Sequence, residues 1–459
     1  MLFARRIAAT LATLLPATLA SPLARADDTV LIFDQAIKIV TQRPEAQGGM
    51  RVDSTRSEVL VILGDRSFKV HESEQIWVYD FERNRVLNVR RAERTYSDWS
   101  LFAYVAFNDL ELSSRLGLGP EGTGEPPRGT SVLELETLFG MRSTKIRPGR
   151  REVLADSSRD SEVRVSTNGR IAVSATTSAH ALPPAHAAMF ERFLLYRAHL
   201  HPDARRAVVG LGKVPQVLFT RFQDHNDETA VLLRLKLVTS TEESNPATGC
   251  SRVDIPEPDL APLEAGLRQS RSRCADTTRT RWAEASRRFE VTALAGGRYL
   301  DASLAGLERS MCDCRRPSSQ AWPADVRARA QVDTAVKAYV SASRWSSGNG
   351  EEGFRKLQAI DRSGLEKGYV LDFISAKARY SMGDLGGGAR LALQGLTQNP
   401  CAVEAWMDLS AAYLKGYQTV LAWICLDRAR ALAPPDCPLL AEGLKLEQSL
   451  RERHPEFFN

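Results

Sequence analysis

Residues 403–434 carry the pattern that most restricts the fold of this chain, two amphipathic helices joined by a short break. Large side chains lie three and four residues apart in the first half, so they share one face of a helix. Alanines recur on one stripe of the second half, where they allow close approach to the first helix. A proline ends the segment because it cannot donate the next backbone hydrogen bond. The residues that define this pattern are Trp406, Leu409, Tyr413, Ala422, Ala429 and Pro434.

This spacing resembles the tetratricopeptide repeat, a helical hairpin of about 34 residues. Residues 369–400 have the same layout in a weaker form and also end in proline. Two further pairs of helical segments precede them, 281–294 with 299–311 and 326–343 with 353–360. Hairpins of this kind bury a continuous core only when they stack. We therefore predict an all-α, tetratricopeptide-like helical array over residues 276–459, with an ordinary helical bundle as the alternative.

The resemblance implies a groove, formed by the first helices of the repeats, that binds a protein or peptide. Polar and aromatic side chains on those helices are the candidates for lining it. They are Asp372, Lys377, Arg379, Asp408, Tyr413 and Lys415.

Residues 27–240 predict a different kind of structure, a β-rich domain with helical insertions at 101–116 and 184–209. Short segments rich in branched and aromatic side chains, separated by polar turns, are typical of antiparallel strands. The expected strands are 29–40, 58–63, 67–72, 76–81, 85–90, 162–165, 170–176, 217–222 and 228–239. A loop rich in Gly and Pro is expected at 117–129. Residues 241–275, which contain Cys and Pro, are expected to link the two parts, so the predicted fold class is α+β.

The run Ile-Trp-Val-Tyr-Asp at residues 76–80, followed by Arg85-Val86-Leu87 and Thr95-Tyr96, resembles the sheets of LolA-like periplasmic lipoprotein carriers. That resemblance implies a half-open barrel that holds acyl chains under a helical lid. The helix at 184–209 is the candidate lid. A sheet with one buried face and no cavity is the alternative.

The N-terminus predicts export. Arg5 and Arg6 precede an apolar run at residues 7–20, and Ala24-Arg25-Ala26 has the small residues that signal peptidase requires. We expect cleavage after Ala26 and a periplasmic or secreted protein that does not span a membrane, since no later segment has about 20 uncharged residues. Loss of the three leader arginines lowers the formal charge from +5 to +2. A near-neutral chain gives no electrostatic reason to expect nucleic acid as a partner.

Seven cysteines in an oxidising compartment predict disulfides, with at least one thiol left over. Helix geometry favours a bridge from Cys425 to Cys401 or Cys437. The other four are expected to pair among themselves, with a four-thiolate zinc site as a further alternative. These four are Cys250, Cys274, Cys312 and Cys314.

His199 and His201 are weak candidates for metal ligands, because residues two apart can reach one ion only where a helix ends. The sequence contains no HExxH, Gly-x-Ser-x-Gly, Ser-x-x-Lys or phosphate-loop motif. We therefore expect a non-catalytic protein without a cofactor, an exported scaffold that binds a protein or peptide through the helical groove. The alternative is a carrier of an apolar or acylated ligand, a lipid or a lipoprotein, in the β domain. A metal-dependent hydrolase is the third hypothesis.

Overall fold

The computed structural model describes most of the chain between residues 28 and 458. The described residues are 28–42, 50–118, 131–144, 155–156, 159, 161–167, 170–198, 200–224, 227–241, 245–255, 257–274, 276–314, 322–343, 350–434 and 436–458. The predicted leader and most of the loop expected at 117–129 lie outside them.

An antiparallel sheet, to which the described residues contribute eleven strands, dominates the N-terminal half. The strands are β1 (Asp28–Gln42), β2 (Met50–Leu63), β3 (Ser67–Glu72), β4 (Gln75–Asp80), β5 (Arg85–Arg90), β6 (Thr95–Ser100), β7 (Ala155–Asp156), β8 (Glu162–Thr167), β9 (Arg170–Ala181), β10 (Lys213–Asp224) and β11 (Asp227–Thr241). Their order is β6-β5-β4-β3-β2-β1-β11-β10-β9-β8-β7, and a short strand, β12 (Ser251–Arg252), runs parallel to β6 at one edge. Two meanders, β1–β6 and β7–β11, therefore meet where β1 pairs with β11.

Side-chain alternation along the central strands gives the sheet a large apolar face, which we call the core face. Leu31 and Phe33 of β1 lie on it, opposite Val61 and Val59 of β2, and all four are buried. Residues directly opposite each other in a ladder share a face, so this register extends the apolar surface across both strands. The strands predicted between residues 58 and 90 are present, although β2 begins earlier, at Met50.

In the described part of this half, four helices accompany the sheet: α1 (Leu101–Arg115), α2 (Val132–Phe139), α3 (Pro184–Arg197) and α4 (Pro202–Gly210). The prediction of one continuous helix at 184–209 is wrong. Pro202 occupies the first turn of α4, where its missing N–H has no intrahelical partner to lose. The His201 side chain caps α4 by accepting a hydrogen bond from the Asp203 backbone N–H.

The C-terminal half is a helical array. Its helices are α5 (Ala261–Arg273), α6 (Asp276–Ala295), α7 (Tyr299–Asp313), α8 (Ala324–Val332), α9 (Thr334–Ser343), α10 (Gly350–Gln358), α11 (Val370–Ser381), α12 (Leu385–Gln398), α13 (Val403–Lys415), α14 (Thr419–Leu432) and α15 (Ala441–Arg453). The helices expected within 403–434 are α13 and α14, which pack together. The helix expected at 326–343 is instead divided into α8 and α9 at Asp333. The segment expected to be a linker contains α5, which packs against α12.

A buried carboxylate, Glu308 of α7, joins parts of the array that are distant in sequence. Its oxygens accept hydrogen bonds from the Ser286 hydroxyl at 2.6 Å, the Asn399 amide at 3.0 Å and the Tyr369 hydroxyl. The Lys367 ammonium lies 2.7 Å from the same carboxylate. A buried charge is tolerated only when it is paired and hydrogen-bonded in this way.

The segment that follows α15 inserts into the N-terminal domain, and we call residues 453–458 the C-terminal clamp. Arg453 and His454 contact the carboxylate of Asp109 on α1, at 2.5 and 3.1 Å. Phe457 has no exposed surface, and its ring centroid lies 5.5 Å from that of Tyr196 on α3. The Tyr196 hydroxyl donates to the Phe457 carbonyl oxygen at 2.9 Å. The two halves of the chain therefore share one hydrophobic core.

Two disulfides connect the start of the array to its end, Cys274–Cys401 and Cys314–Cys437. The predicted bridge from Cys425 to Cys401 or Cys437 is therefore wrong, and so is pairing within the group of four upstream cysteines. Cys425 is a free, fully buried thiol, because its position on α14 points into the core. Cys274, at the end of α5, instead lies 5.6 Å from Cys401 between Cα atoms.

Cys250 and Cys312 are also free thiols. Two structural disulfides indicate an oxidising compartment rather than the cytoplasm. Among the described residues, no helix combines the length and apolarity needed to cross a membrane.

Candidate functional site

Helix α3 covers part of the core face of the sheet, and we call it the lid helix. It packs against β2 and β3. The Phe193 ring stacks on Phe33 of β1, with centroids 6.4 Å apart, and meets the Phe68 ring of β3 edge-on at 6.1 Å. Phe190 and Leu194 of the same helix are also buried. The lid helix therefore fills the apolar face with its own side chains in this structure.

A cavity of about 30 Å³ remains between the C-terminal end of the lid helix and the sheet. A water molecule needs about 10–15 Å³ on this measure, so the cavity accommodates one or two water-sized groups. An acyl chain does not fit unless the lid helix moves. The residues that line the cavity are Gln35, Val59, Val70, Glu72, Phe193, Arg197, Ala198, Leu218, Thr220, Val231 and Leu233.

The cavity has an ion pair at its edge, between Arg197 at the end of the lid helix and Glu72 at the end of β3. Both side chains are a quarter to a third exposed. Burial lowers the pKa of Arg197 to about 10, which still leaves the guanidinium charged at neutral pH. The guanidinium also lies 5.6 Å from the ring centroid of Trp77. A partly dehydrated cation therefore lies at the edge of a cavity with mixed polar and apolar lining.

Thr220 of β10 contributes a second polar group. It is 2 % exposed, and its hydroxyl oxygen has no hydrogen-bond partner among the described residues. The ladder pairs Thr220 with Val231, and the neighbouring pair on the same face is Leu218 with Leu233. Thr220 is thus a polar side chain on an otherwise apolar part of the core face.

The core face continues past the end of the lid helix, and we call this part the distal face. It comprises residues 35–41 of β1, 51–57 of β2 and 227–233 of β11. Ile37 and Val231 are opposite each other there and are half-buried, and Ile39 is 36 % exposed. In β2, residues 50–58 are exposed throughout. Ile37, Ile39 and Val231 therefore form a narrow apolar strip beside the cavity, bordered on the β2 side by polar side chains such as Thr55 and Asp53.

The structure brings two of the predicted groove residues together. Lys377 of α11 forms ion pairs with Glu404 and with Asp408 of α13, the latter at 3.4 Å. Burial raises the pKa of Asp408 to about 6, although the Lys377 charge opposes this shift. Burial disfavours the ionised form of a carboxyl group, whereas a nearby cation favours it.

Other predicted groove residues are engaged within the protein. Asp372 is buried and accepts a hydrogen bond from Arg362 at 2.6 Å. Arg379 pairs with Asp384 at 3.1 Å, and Tyr413 is buried. Lys415 is exposed at the end of α13.

The residues that define the repeat pattern lie in the core of the array. Trp406, Leu409, Tyr413, Ala422 and Ala429 are buried. The Trp406 indole N–H donates to the Pro400 carbonyl oxygen at 3.0 Å, and α14 ends at Leu432, two residues before Pro434.

His201 and His186 occupy structural positions. His201 is buried, with its Nε2 atom 3.2 Å from the buried carboxylate of Glu136. His186 lies 2.6 Å from the Thr29 hydroxyl through its Nδ1 atom. His199 lies outside the described residues. Within the described part of the chain, no three His, Cys, Asp or Glu side chains are grouped so that they could hold a metal ion.

Sequence reasoning did not identify Glu72, Arg197 or Thr220. One signal was present for Thr220, since strand alternation places it on the same face as Leu218. The Arg197–Glu72 pair has no local signal, because its members are 125 residues apart.

No protein-family model and no curated protein matches the chain. A comparison with solved structures found a structure titled "Lipid-protein interactions in lipovitellin", with 9% sequence identity and a TM-score of 0.17. The match covers 94% of this chain and 53% of that one, so the chain spans about half the length of lipovitellin. A likeness at this TM-score carries no argument about fold or function.

Proposed function

We propose that this protein carries an apolar or acylated ligand on the core face of its β-sheet, beneath and beside the lid helix. The observation that carries the proposal is the apolar core face, of which the lid helix covers one part and leaves uncovered, on the distal face, an apolar strip formed by Ile37, Ile39 and Val231. A ligand chain binds along the apolar strip of the distal face, beside the lid helix. Each buried methylene contributes about 0.8 kcal/mol to such binding.

The resemblance to LolA-like carriers supports this proposal, because it implies a sheet crossed by a helical lid. The half-open barrel that it also implies is part of the proposal. The predicted export supports it further, because a carrier of this class works outside the cytoplasm. We expect the protein to release its ligand chemically unchanged, since the proposal assigns it a binding surface and the sequence contains none of the catalytic motifs named above.

The first test is native mass spectrometry of the protein purified from periplasm. An additional lipid-sized mass that disappears on denaturation is the expected result. A mass equal to that of the polypeptide alone, together with no binding of an uncharged fluorescent apolar probe, would refute the carrier proposal.

A pair of variants locates the binding surface. Ile39→Asp places a charge on the distal face and is expected to weaken probe binding at least about fivefold, since it removes an apolar contact. Val52→Asp is the matched control, because Val52 pairs with Val40 on the opposite face of the sheet and is 51 % exposed. Equal effects of the two substitutions would contradict the assigned face.

A second candidate function is a tetratricopeptide-like groove on α11 and α13 that binds a protein or peptide. The Lys377–Asp408 pair favours it, because opposite charges from two successive first helices meet there. Exposed Lys415 lies on the same helix as Asp408. A pull-down in which Asp408→Arg and Lys415→Glu retain every specific partner of the wild type counts against this groove.

A further inference from the structure

The small cavity under the lid helix is lined by both a buried hydroxyl group, of Thr220, and a guanidinium group, of Arg197. Thr220 is almost fully buried, yet its hydroxyl oxygen lacks a partner among the described residues. A buried hydroxyl without a hydrogen bond costs roughly 1–3 kcal/mol in proteins, and such groups are rare in folded structures. The cavity that it lines is large enough for a small polar group. The hydroxyl is therefore placed to bond to something that enters the cavity.

Arg197 lines the same cavity and supplies a cation. A guanidinium carries five N–H donors in a planar fork that matches a carboxylate. Glu72 contacts one terminal nitrogen of Arg197. Among the residues that line the cavity, Glu72 is the one acid and Arg197 the one base. An incoming anion thus meets one fixed cation, and Glu72 competes with it for that cation.

The cavity adjoins the distal face along β1. Gln35 lines the cavity and begins the distal part of β1, so Ile37 and Ile39 follow it on the same face. A molecule with its head in the cavity can extend its chain along these side chains. The small volume favours a compact head group and a single chain.

We propose that the cavity is a head-group subsite for a single-chain amphiphile with a carboxylate, such as a fatty acid. The carboxylate accepts hydrogen bonds from Arg197 and from the Thr220 hydroxyl, and the chain lies on the distal face. This inference rests on the proposed carrier function, and it adds the chemical class of the ligand. Charge-assisted hydrogen bonds are stronger than neutral ones, so the acid binds better than an uncharged molecule of equal length.

The test compares palmitate with hexadecanol, which has the same chain length and no charge. Each is titrated against the protein to displace a bound uncharged fluorophore. We expect wild-type protein to bind palmitate roughly tenfold more tightly than hexadecanol. In Arg197→Gln this ratio falls to about one, and Thr220→Val lowers it severalfold. Glu72→Gln raises it, because the competing carboxylate is removed.

Arg192→Gln is the matched control on the same helix. The Arg192 guanidinium lies 4.2 Å from the Phe81 ring centroid and does not line the cavity. This variant is expected to keep the wild-type ratio. Thermal unfolding followed by circular dichroism checks that each variant is folded, and Thr220→Val keeps the test decisive if Arg197→Gln does not fold.

The outcomes separate the inference from the function on which it rests. If neither ligand displaces the fluorophore, the carrier function itself is wrong. If both bind wild-type protein equally well, the protein is a carrier and the head-group subsite is wrong. If Arg197→Gln weakens both ligands alike and leaves their ratio unchanged, Arg197 only supports the structure and the subsite is likewise refuted.

Discussion

The C-terminal clamp gives the sharpest test of how the two halves of the chain are held together. Phe457→Ala removes a ring that has no exposed surface and that contacts Tyr196 of the lid helix. An aromatic side chain buries roughly 150–250 Å². At about 25 cal/mol per Å², this burial contributes about 4–6 kcal/mol. Partial relaxation around the site reduces the cost of Phe→Ala to about 3–5 kcal/mol.

The free energy of unfolding is measured by urea titration, with tryptophan fluorescence and far-UV circular dichroism as two probes. Phe107→Ala is the matched control, because Phe107 lies on α1, two residues before Asp109, and is 44 % exposed. Its cost is expected to stay below about 1 kcal/mol. If the two substitutions differ by less than about 1 kcal/mol, the clamp does not stabilise the protein and the shared core is refuted.

Three further predictions concern groups buried in the array. After denaturation without reductant, three thiols should react with a maleimide, whereas in the folded protein Cys250 alone should react, because Cys312 and Cys425 are buried. Glu308→Gln should lower the free energy of unfolding by about 3 kcal/mol, since it leaves the partly buried Lys367 without its counter-charge. The pKa of Asp408 is about 6 in the folded protein against an ordinary 3.8, so the unfolded state loses its proton first as pH rises. Wild-type stability should therefore fall by about 1–3 kcal/mol relative to Asp408→Asn between pH 4 and pH 7, measured by urea titration at each pH.

Each of these predictions has its own control. A fourth or fifth reactive thiol in the denatured, unreduced protein contradicts the two disulfides. Glu442→Gln, at an exposed glutamate that pairs with Lys445, should change the free energy of unfolding by less than about 1 kcal/mol. A difference between wild type and Asp408→Asn that stays constant with pH shows that Asp408 has its ordinary pKa in the folded protein.

Local patterns in the sequence predict those elements whose formation depends on local chemistry. The period of two along β1 and β3 and the helical period in α13 and α14 appear at the expected positions, since each reflects one buried face. The predicted linker fails for a specific reason. The prolines of this segment suggested an interruption, yet Pro262, in the first turn of α5, costs nothing because that N–H has no helical partner.

The disulfide prediction is wrong because the sequence does not indicate helix α5. Without that helix the position of Cys274 is undefined, and Cys401 has as candidate partners only cysteines of neighbouring helices. The structure instead joins Cys274 to Cys401 across 127 residues. The cavity could not be predicted from the sequence either, because Glu72 and Arg197 come into contact only when the lid helix packs on the sheet. Contacts of this kind depend on tertiary structure, and a single sequence contains no periodicity that reports them.

The C-terminal clamp also has a consequence for biosynthesis. The buried carboxylate of Asp109 gains its partner His454 only when the ribosome has added a further 345 residues. A ribosome adds about 5–20 residues per second, so β11, the last strand of the sheet domain, is synthesised at least about 10 seconds before the clamp emerges. During that interval the lid helix lacks Phe457, and its aromatic side chains are open to other apolar partners. A holding chaperone that recognises exposed aromatic side chains is therefore expected to act on the nascent sheet domain until the last helix arrives.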